Sequence, residues 1–509
     1  MELFSAFIEA LGITLHPMSL LIIFVSTVVS LIFGVLPAIS GALVCILILP
    51  FLYGVDPFIG MPILCALFSV SCMGGAITSI LVGIPGDNIN AATVVDGFAM
   101  TRKGQAGRAL GLGLGSNFLA AVGSIAISFL LIPMILPIVM TFKTAEMALV
   151  IIVALLFVAV LTKHNRIKGL IAAGLGLLIS SIGYQPSTGI DRLTFGNLYL
   201  YEGLEIPTVL MGIMAMPVLL GLQATQSTIA PSDMKDTGNL RELLKGMKEV
   251  LKSYKSIWFR GTMIGYLFGL LPAIGGTAGV WMTYAHAKQT SRHPEEFGKG
   301  APDGIIAPEA CANASHPGDL LITLALGIPG SGIMVVLLAA FLLMGVTPGP
   351  NLLIEQTTLC FNMLLAVAFA NVMAVLLCFF GAPFLTKVTR VSPLYIFGYL
   401  IPLMVISVFV SRQYTIDIIV FAIISLIGLF MTRFGFSAPA FLLGFVLGGM
   451  LEGYLTLALD LHGFKLFFKT PATIVLTSLC LITLFFEQIQ MLLGKLLHRK
   501  VDILTDDDD

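Results

Sequence analysis

Each half of this chain carries the same pair of helix-breaking motifs. A Gly-x-x-Pro-Ala-Ile motif begins at Gly34 and again at Gly269, and a Gly-Ile-Pro-Gly motif begins at Gly83 and again at Gly327. All four motifs interrupt apolar stretches, where proline removes a backbone donor and leaves polar backbone that lipid cannot satisfy. Such backbone must line a cavity inside the protein. Paired breaks at matching positions of two halves are typical of the binding site of a secondary transporter.

The composition is that of a membrane protein. Of the 509 residues, 57% are hydrophobic and 11% are charged, whereas about 25% of an average soluble domain is charged. Several apolar stretches exceed the ~20 residues of one span and can form two short helices joined at a break. We therefore predict an all-α integral membrane protein with about 11–14 transmembrane passes or half-passes, in two inverted repeats with Pro/Gly-broken helices. The sequence has no basic array with interleaved aromatic residues, which argues against nucleic acid as a partner.

Lysine and arginine are unevenly distributed along the chain. None occurs before Arg102, whereas the segment from Pro231 to Arg260 carries seven. The positive-inside rule predicts that this central segment is cytoplasmic and that the charge-poor amino terminus lies outside. The two Gly-x-x-Pro-Ala-Ile motifs then enter the membrane from opposite sides, as an inverted repeat requires.

These observations predict that the chain is divided into four segments. They are a first transmembrane repeat over residues 1–230, a cytoplasmic linker over residues 231–257, a second transmembrane repeat over residues 258–500 and an acidic tail over residues 501–509. The linker has apolar residues at helical spacing and lysines over much of the remaining surface. This pattern predicts a basic amphipathic helix that lies along the inner surface of the lipid bilayer. A helix that docks a partner protein is the alternative.

The second break of each half carries most of the polar side chains. We call residues 83–90 the first tip and residues 327–334 the second tip. If the chain reverses there, helix amino termini expose N–H groups that suit a carboxylate, and exposed carbonyls suit a small cation. The predicted substrate-binding residues are Gly86, Asp87, Asn88, Asn90, Thr93, Asn313, Gly330 and Ser331. The predicted structural breaks are Pro37, Pro85, Pro272 and Pro329.

We expect a coupling Na+ ion near Gly83, Asp87, Asp96 and Gly327. Other roles for these side chains stay open in the sequence. Asp87 and Asn88 are good helix caps, and capping uses the same geometry as ion binding. Asp96 either coordinates the ion or braces the tip. Glu309 and Asn313 are four residues apart and share a helix face. That face either points at the cavity or packs the polar insertion of the second half, residues 288–319, against the second tip.

Four longer motifs carry a family resemblance. They are Gly83-Ile-Pro-Gly leading to Asp96-Gly97, Arg-Lys-Gly-Gln-Ala-Gly-Arg-Ala-Leu-Gly over residues 102–111, Gly-Ile-Ile-Ala-Pro-Glu-Ala-Cys-Ala-Asn over residues 304–313, and Gly-Val-Thr-Pro-Gly-Pro over residues 345–350. They resemble the signature of the TctA family, the large membrane subunit of the tripartite tricarboxylate transporters. The resemblance extends over almost the whole chain.

The resemblance implies a multi-pass symporter subunit in the bacterial inner membrane that imports a tricarboxylate, a dicarboxylate or a related organic acid. It implies Na+ or H+ as the coupling ion and no other cofactor. It also implies two partners, a small TctB-like membrane subunit and a periplasmic TctC-like protein that delivers the substrate. Asp87 stands where the family usually has a small uncharged residue. Such a fixed anion repels a tricarboxylate unless a cation or a proton neutralises it.

Two other classes of function stay open. One is a membrane-embedded enzyme that acts on a lipid-linked or carboxylated substrate through Glu309, His316 or Asp319. The other is a passive channel. The sequence has no nucleotide-binding glycine loop and no histidine cluster with metal-ligand spacing, so we predict that the chain is not an enzyme.

Overall fold

The computed structural model describes residues 2–36, 40–160, 166–185, 189–224, 240–271, 275–388, 393–485 and 488. Side chains are described in these ranges except at residues 222–224, 382–388 and 393–397. Two predicted breaks, Pro37 and Pro272, lie outside the described residues, as do the first part of the linker and the acidic tail. The protein is 83% helical, which confirms the prediction of an all-α membrane protein.

The first half consists of eleven described helices. They are α1 (Glu2–Leu15), α2 (Pro17–Gly34), α3 (Gly41–Ile48), α4 (Pro57–Leu81), α5 (Ala91–Arg102), α6 (Ala106–Val139), α7 (Thr144–Val160), α8 (Arg166–Ser180), α9 (Leu198–Tyr201), α10 (Ile206–Leu210) and α11 (Met216–Ala224). A π-helical segment, Met211–Ala215, joins α10 to α11. Strands β1 (Gly183–Gln185) and β2 (Ile190–Arg192) pair antiparallel, with Tyr184 opposite Asp191.

The second half also has eleven described helices. They are α12 (Leu240–Ser253), α13 (Lys255–Gly269), α14 (Gly275–Thr290), α15 (Asp303–Leu326), α16 (Gly332–Leu343), α17 (Pro350–Glu355), α18 (Thr357–Val388), α19 (Pro393–Arg412), α20 (Thr415–Arg433), α21 (Ala438–His462) and α22 (Pro471–Leu484). Short 3₁₀ helices lie at Leu49–Leu52, Asn88–Asn90, Pro294–Glu296 and Gly463–Phe468.

Many of the described helices are apolar, and these apolar helices form a long and a short class. Six are long and apolar enough to cross a membrane: Pro17–Gly34, Pro57–Leu81, Ala106–Val139, Thr357–Gly381, Thr415–Arg433 and Ala438–Phe468, the last including a 3₁₀ turn. Several apolar helices of 10–17 residues accompany them. A full span needs ~20 residues, so the short helices suit half-passes. The chain is therefore a multi-pass membrane protein.

The first break of the second half lies in a helical hairpin. Arg260 near the start of α13 donates from Nη1 to Oγ1 of Thr290 at the end of α14 (3.1 Å). The start of one helix thus lies beside the end of the other, so α13 and α14 run antiparallel. The chain enters the bundle along α13, breaks, and returns along α14.

The same close contact occurs beside the first break of each half. A Cβ placed at Gly34 of α2 would lie 2.6 Å from the carbonyl oxygen of Ser71 in α4, and a Cβ at Gly269 of α13 would clash with the carbonyl oxygen of Ser315 in α15. Only glycine allows the backbones to approach this closely. The helix that leads into each break is therefore packed directly on the helix that leads into the following tip.

Contacts between distant segments define the two ends of the bundle. At the start of α8, Lys168 donates to the carbonyl oxygen of Phe434 beyond α20 (2.8 Å). Past the other end of α8, Arg192 in β2 pairs with Glu452 in α21 (2.8 Å). The β-hairpin and the α20–α21 connection therefore lie at opposite ends.

The basic amphipathic helix predicted for the linker forms as α12, and part of its apolar face packs on α6. Gly246 and Val250 are buried, and a Cβ at Gly246 would lie 2.9 Å from Cα of Gly111 in α6. Arg108 of α6 also pairs with Glu249 of α12 (2.8 Å). Contact with the first half, which the sequence pattern did not indicate, therefore holds this helix in addition to any contact with lipid.

We expect Gly269→Val to destabilise the fold. The added methyl groups cannot fit against the carbonyl oxygen of Ser315, and overpacking of this kind costs about 1–3 kcal/mol. The melting temperature of the purified variant in detergent, followed by intrinsic fluorescence, should fall. Gly398→Val is the matched control, because a Cβ there meets no atom within 4 Å. Equal melting temperatures for the two variants would contradict this packing.

Candidate functional site

Both tips fold back after a long helix. Gly83 follows α4 with φ +78°, and Gly327 follows α15 with φ +69°. Glycine adopts this left-handed conformation without strain, and it commonly ends helices. The N–H of Gly83 donates to the carbonyl oxygen of Thr78 (3.1 Å), and the N–H of Gly327 donates to the carbonyl oxygen of Thr323 (2.9 Å). New helices begin a few residues later, a 3₁₀ helix at Asn88–Asn90 in the first tip and α16 in the second.

The two tips meet at one cavity of about 200 Å³. Its walls come from both tips, from the first turns of α3 and α14, and from one face each of α4 and α15. The lining residues are Ser40, Ala42, Ser71, Cys72, Asp87, Asn88, Ile89, Met214, Gly276, Thr277, His316, Asp319, Ser331, Gly332 and Ile333. Breaks that are far apart in the sequence therefore lie together in the fold.

Each tip also contacts the first break of the opposite half. A Cβ at Gly41, where α3 begins, would lie 3.3 Å from Cδ1 of Ile333 in the second tip. A Cβ at Gly276 in α14 would lie 2.5 Å from Cδ1 of Ile89 in the first tip. The two isoleucines thus occupy equivalent places, and each packs beside a glycine of the opposite half.

Three of the predicted substrate-binding residues line the cavity: Asp87, Asn88 and Ser331. The Asp87 carboxylate accepts a hydrogen bond from the N–H of Asn88 (2.6 Å) and caps the 3₁₀ helix of the first tip. The capping role that the sequence left open is therefore present, and the same side chain also borders the cavity.

Gly86 and Gly330 lie behind the cavity wall, where they allow close packing. A Cβ at Gly86 would lie 2.5 Å from Cα of Gly75 and 2.6 Å from the carbonyl oxygen of Gly34. A Cβ at Gly330 would lie 2.9 Å from the carbonyl oxygen of Gly269. The lack of a side chain at both positions lets each tip sit against the first break of its own half.

The structure places Asn90 and Thr93 in a buried network around Glu309, and neither borders the cavity. Oε1 of Glu309 accepts from Oγ1 of Thr93 (2.5 Å) and from Nδ2 of Asn90 (3.3 Å). Oε2 accepts from Nδ2 of Asn117 in α6 (2.5 Å). Two side-chain amides and one hydroxyl thus occupy both carboxyl oxygens of Glu309. The network joins the first tip to α15 of the second half.

Asn313 extends this network away from the tips. Its Nδ2 donates to the carbonyl oxygen of Asn117 (3.2 Å) and to Oδ1 of Asn371 in α18 (2.7 Å). Glu309 and Asn313 do share a face of α15, as predicted. That face contacts α6 and α18 because of the rotation of the helix in the bundle, so neither side chain borders the cavity.

Asp96 braces the connection between α14 and α15. Its Oδ1 accepts from the backbone N–H groups of Gly298 (2.9 Å), Gly300 (2.7 Å) and Ala301 (2.8 Å). Its Oδ2 accepts from the hydroxyl of Tyr284 (2.8 Å). Both carboxylate oxygens thus have donors. The brace acts on the α14–α15 connection, whereas the bracing role that the sequence left open was on the tip. Asp96 lies outside the cavity wall, and so do the two tip glycines at which Na+ was expected.

His316, Asp319 and Cys72 border the cavity, although the sequence pointed to the first two only as catalytic alternatives and did not single out Cys72. His316 and Asp319 are three residues apart on α15 and so face the same way. Nδ1 of His316 lies 3.9 Å from Sγ of Cys72 in α4. The available signal for His316 and Asp319 was their position on α15, which leads directly into the second tip, and Cys72 has the same position on α4, which leads into the first tip.

Comparison with known proteins gives a family and two relatives. Residues 20–443 match the model of the "Tripartite tricarboxylate transporter TctA family". The chain is 28% identical over 461 residues, 90% of each chain, to an Agrobacterium vitis protein described as "Uncharacterized 52.8 kDa protein in TAR-I ttuC' 3'region". It is 29% identical over 195 residues, 38% of this chain and 81% of the relative, to the "Uncharacterized protein in TAR-II ttuC' 3'region" of the same species. No solved structure matches.

We expect Glu309→Gln to weaken the network that joins the first tip to α15. The amide NH₂ group replaces an acceptor with a donor that faces other donors, and one unsatisfied buried polar group costs about 1–3 kcal/mol. The melting temperature of the variant in detergent should fall. Glu355→Gln, at an exposed position, is the matched control. An equal melting temperature for the variant and the control would contradict the role of Glu309 as a hydrogen-bond acceptor in this network.

Proposed function

Because the chain belongs to the TctA family of tripartite tricarboxylate transporters, we propose that it is the subunit that carries an organic carboxylate across the membrane by symport. The substrate is a tricarboxylate, a dicarboxylate or a related organic acid. The driving force is a gradient of Na+ or H+. The binding site is the cavity between the two tips.

The observation that carries this proposal is the convergence of helix amino termini on one cavity. Ala42, Thr277 and Ile333 lie in the first turns of α3, α14 and α16, and all three line it. The first N–H groups of a helix have no partner within the helix, and the helix dipole adds partial positive charge. This environment favours a bound carboxylate.

The size of the cavity supports a small substrate. Its volume of about 200 Å³ is below the ~300–1,000 Å³ that is typical of sites for drug-sized ligands. An acid with a short carbon skeleton is therefore a better fit than a lipid-linked substrate. The polar lining, from Asn88, Thr277 and Ser331 among others, gives hydroxyl and amide groups that can donate to carboxylate oxygens.

The charges on the cavity wall support coupling to a cation. Asp87 and Asp319 both border the space where the anionic substrate binds. Like charges at close range in a water-poor site are unfavourable unless a cation or a proton neutralises them. A substrate that can enter only together with a positive charge is a substrate of a symporter.

We also propose two inverted repeats that provide alternating access. The contact of Gly34 with Ser71 matches that of Gly269 with Ser315. The isoleucine of each tip also contacts a glycine of the opposite half. The bundle end that carries Lys168 is cytoplasmic by the positive-inside rule. Movement of the tips relative to the rest of the bundle then opens the cavity to one side at a time.

The remaining parts of the proposal concern partners and location. TctA family membership implies a tripartite transporter with further subunits. We propose that these are a small TctB-like membrane subunit and a periplasmic TctC-like binding protein that delivers the substrate, and that the complex lies in the bacterial inner membrane. The geometry favours transport over catalysis, because Glu309, one acid that an enzyme would use, is enclosed by Asn90, Thr93 and Asn117.

We expect Asp87→Ala and Ser331→Ala to lower substrate uptake about ten-fold each, a loss of ~1.4 kcal/mol of transition-state stabilisation, because both side chains line the cavity. The measurement is uptake of radiolabelled citrate and malate, with and without a Na+ gradient, in cells that express the chain with its partner subunits. Immunoblots of the membrane fraction check that each variant is present. Glu355→Gln serves as the control. Uptake at the wild-type rate in both cavity variants would refute this binding site.

A further inference from the structure

Two buried oxygen atoms at the cavity make no hydrogen bond of normal geometry to the part of the chain that the structure describes, although their side chains face each other. They are Oδ1 of Asp319 and Oγ of Ser331. Asp319 is only 1% exposed. Buried polar atoms are nearly always satisfied, and a buried carboxylate in particular is paired with a positive charge or bound to a metal ion. The two atoms therefore point to a missing ligand.

A third oxygen faces the same space. A Cβ placed at Gly330 would clash with Oδ1 of Asp319 and would lie 2.9 Å from the carbonyl oxygen of Gly269. Gly269 is the last residue of α13, and the carbonyls of the last helical turn carry partial negative charge. The Asp319 carboxylate and a helix carbonyl thus lie on the same side of Gly330, and the Ser331 side chain faces that carboxylate.

We propose that Asp319 and Ser331 bind a Na+ ion at the contact between the second tip and α15. Oxygen atoms are the ligands that hard cations prefer. One carboxylate balances one positive charge, whereas sites for divalent ions usually combine several acidic side chains. Within the described ranges, no group of three or more His, Cys, Asp or Glu residues is placed to hold a metal ion. A monovalent cation is therefore the ligand that the donor set fits.

The equivalent place in the first half differs in its chemistry. Gly75 lies against Gly86 there, as Asp319 lies against Gly330 in the second half. The acidic residue of the first half is instead Asp87 on the tip, and its Oδ1 already accepts from the N–H of Asn88. The unsatisfied carboxylate oxygen thus belongs to the second half, which is why we assign the ion to that side. This site also differs from the positions near Gly83 and Gly327 that the sequence indicated.

The bound ion has a direct consequence for transport, and this step alone rests on the proposed function. With Na+ bound, Asp319 no longer presents a net negative charge to the cavity. Of the two carboxylates on the cavity wall only Asp87 then stays unneutralised, and the amino termini of α3, α14 and α16 oppose its charge and favour a substrate carboxylate. The ion and the substrate share the second tip, because Ser331 borders the cavity and contributes to the ion site.

The test measures ion binding without substrate. The purified protein is melted in detergent at increasing NaCl, with choline chloride keeping the ionic strength constant and KCl as a second series. We expect the melting temperature to rise saturably with Na+ only, because an ion that binds the folded state alone stabilises it. Asp319→Asn should abolish the rise, and Ser331→Ala should shift the half-maximal Na+ concentration upward about ten-fold. Glu355→Gln should respond like the wild type.

The outcomes separate this site from the proposed function. A full Na+ response in Asp319→Asn, or equal responses to Na+, K+ and choline in the wild type, would overturn the site. Stabilisation by low pH in place of Na+ would assign the position to a proton and would also overturn it. If Asp319→Asn does not fold, the shifted Na+ dependence of Ser331→Ala decides. A Na+ response that persists in a protein without carboxylate uptake would leave the ion site standing and contradict the proposed transport.

Discussion

The fold depends on one constraint, which is that a broken helix in a membrane must hide its backbone from lipid. Each half contains two breaks, so four sets of polar backbone groups need protein or water around them. Among the described residues, the two tips and the helix ends that flank the other two breaks lie together. Gly34 and Gly269 allow direct backbone packing on α4 and α15, and the tip isoleucines, Ile89 and Ile333, cover the glycines of the opposite half. The cavity is the space that remains where the breaks meet.

The two halves share their packing and differ in their charges. In the first half the acidic group lies on the tip at Asp87, whereas in the second half it lies on the long helix at Asp319, opposite Ser331. The network around Glu309 adds a third buried carboxylate, which ties the first tip to α15. Matching glycine contacts with unequal charges distinguish the two tips. The first is anchored through hydrogen bonds, and the second lies beside the buried Asp319 carboxylate.

The sequence predicts the backbone features of this protein better than its side-chain roles. Proline and glycine act locally, so the tips and the membrane class follow from their positions, and helical periodicity predicts α12. The roles of Asn90, Thr93 and Asn313 depend on how α5 and α15 are rotated in the bundle, and one sequence does not fix that rotation. Asp319 is a residue that lines the cavity although the sequence did not predict it as a binding residue. It borders the cavity because the second tip folds back by two turns along α15, which a linear pattern does not reveal.

The central claim is that one site between the two tips binds the carboxylate. A cryo-EM structure of the purified protein with citrate and Na+ tests it most directly. We predict substrate density between Asn88 of the first tip and Ser331 of the second, in contact with the amino termini of α3, α14 and α16. Substrate density elsewhere, with the space between the tips closed by protein side chains, would contradict it.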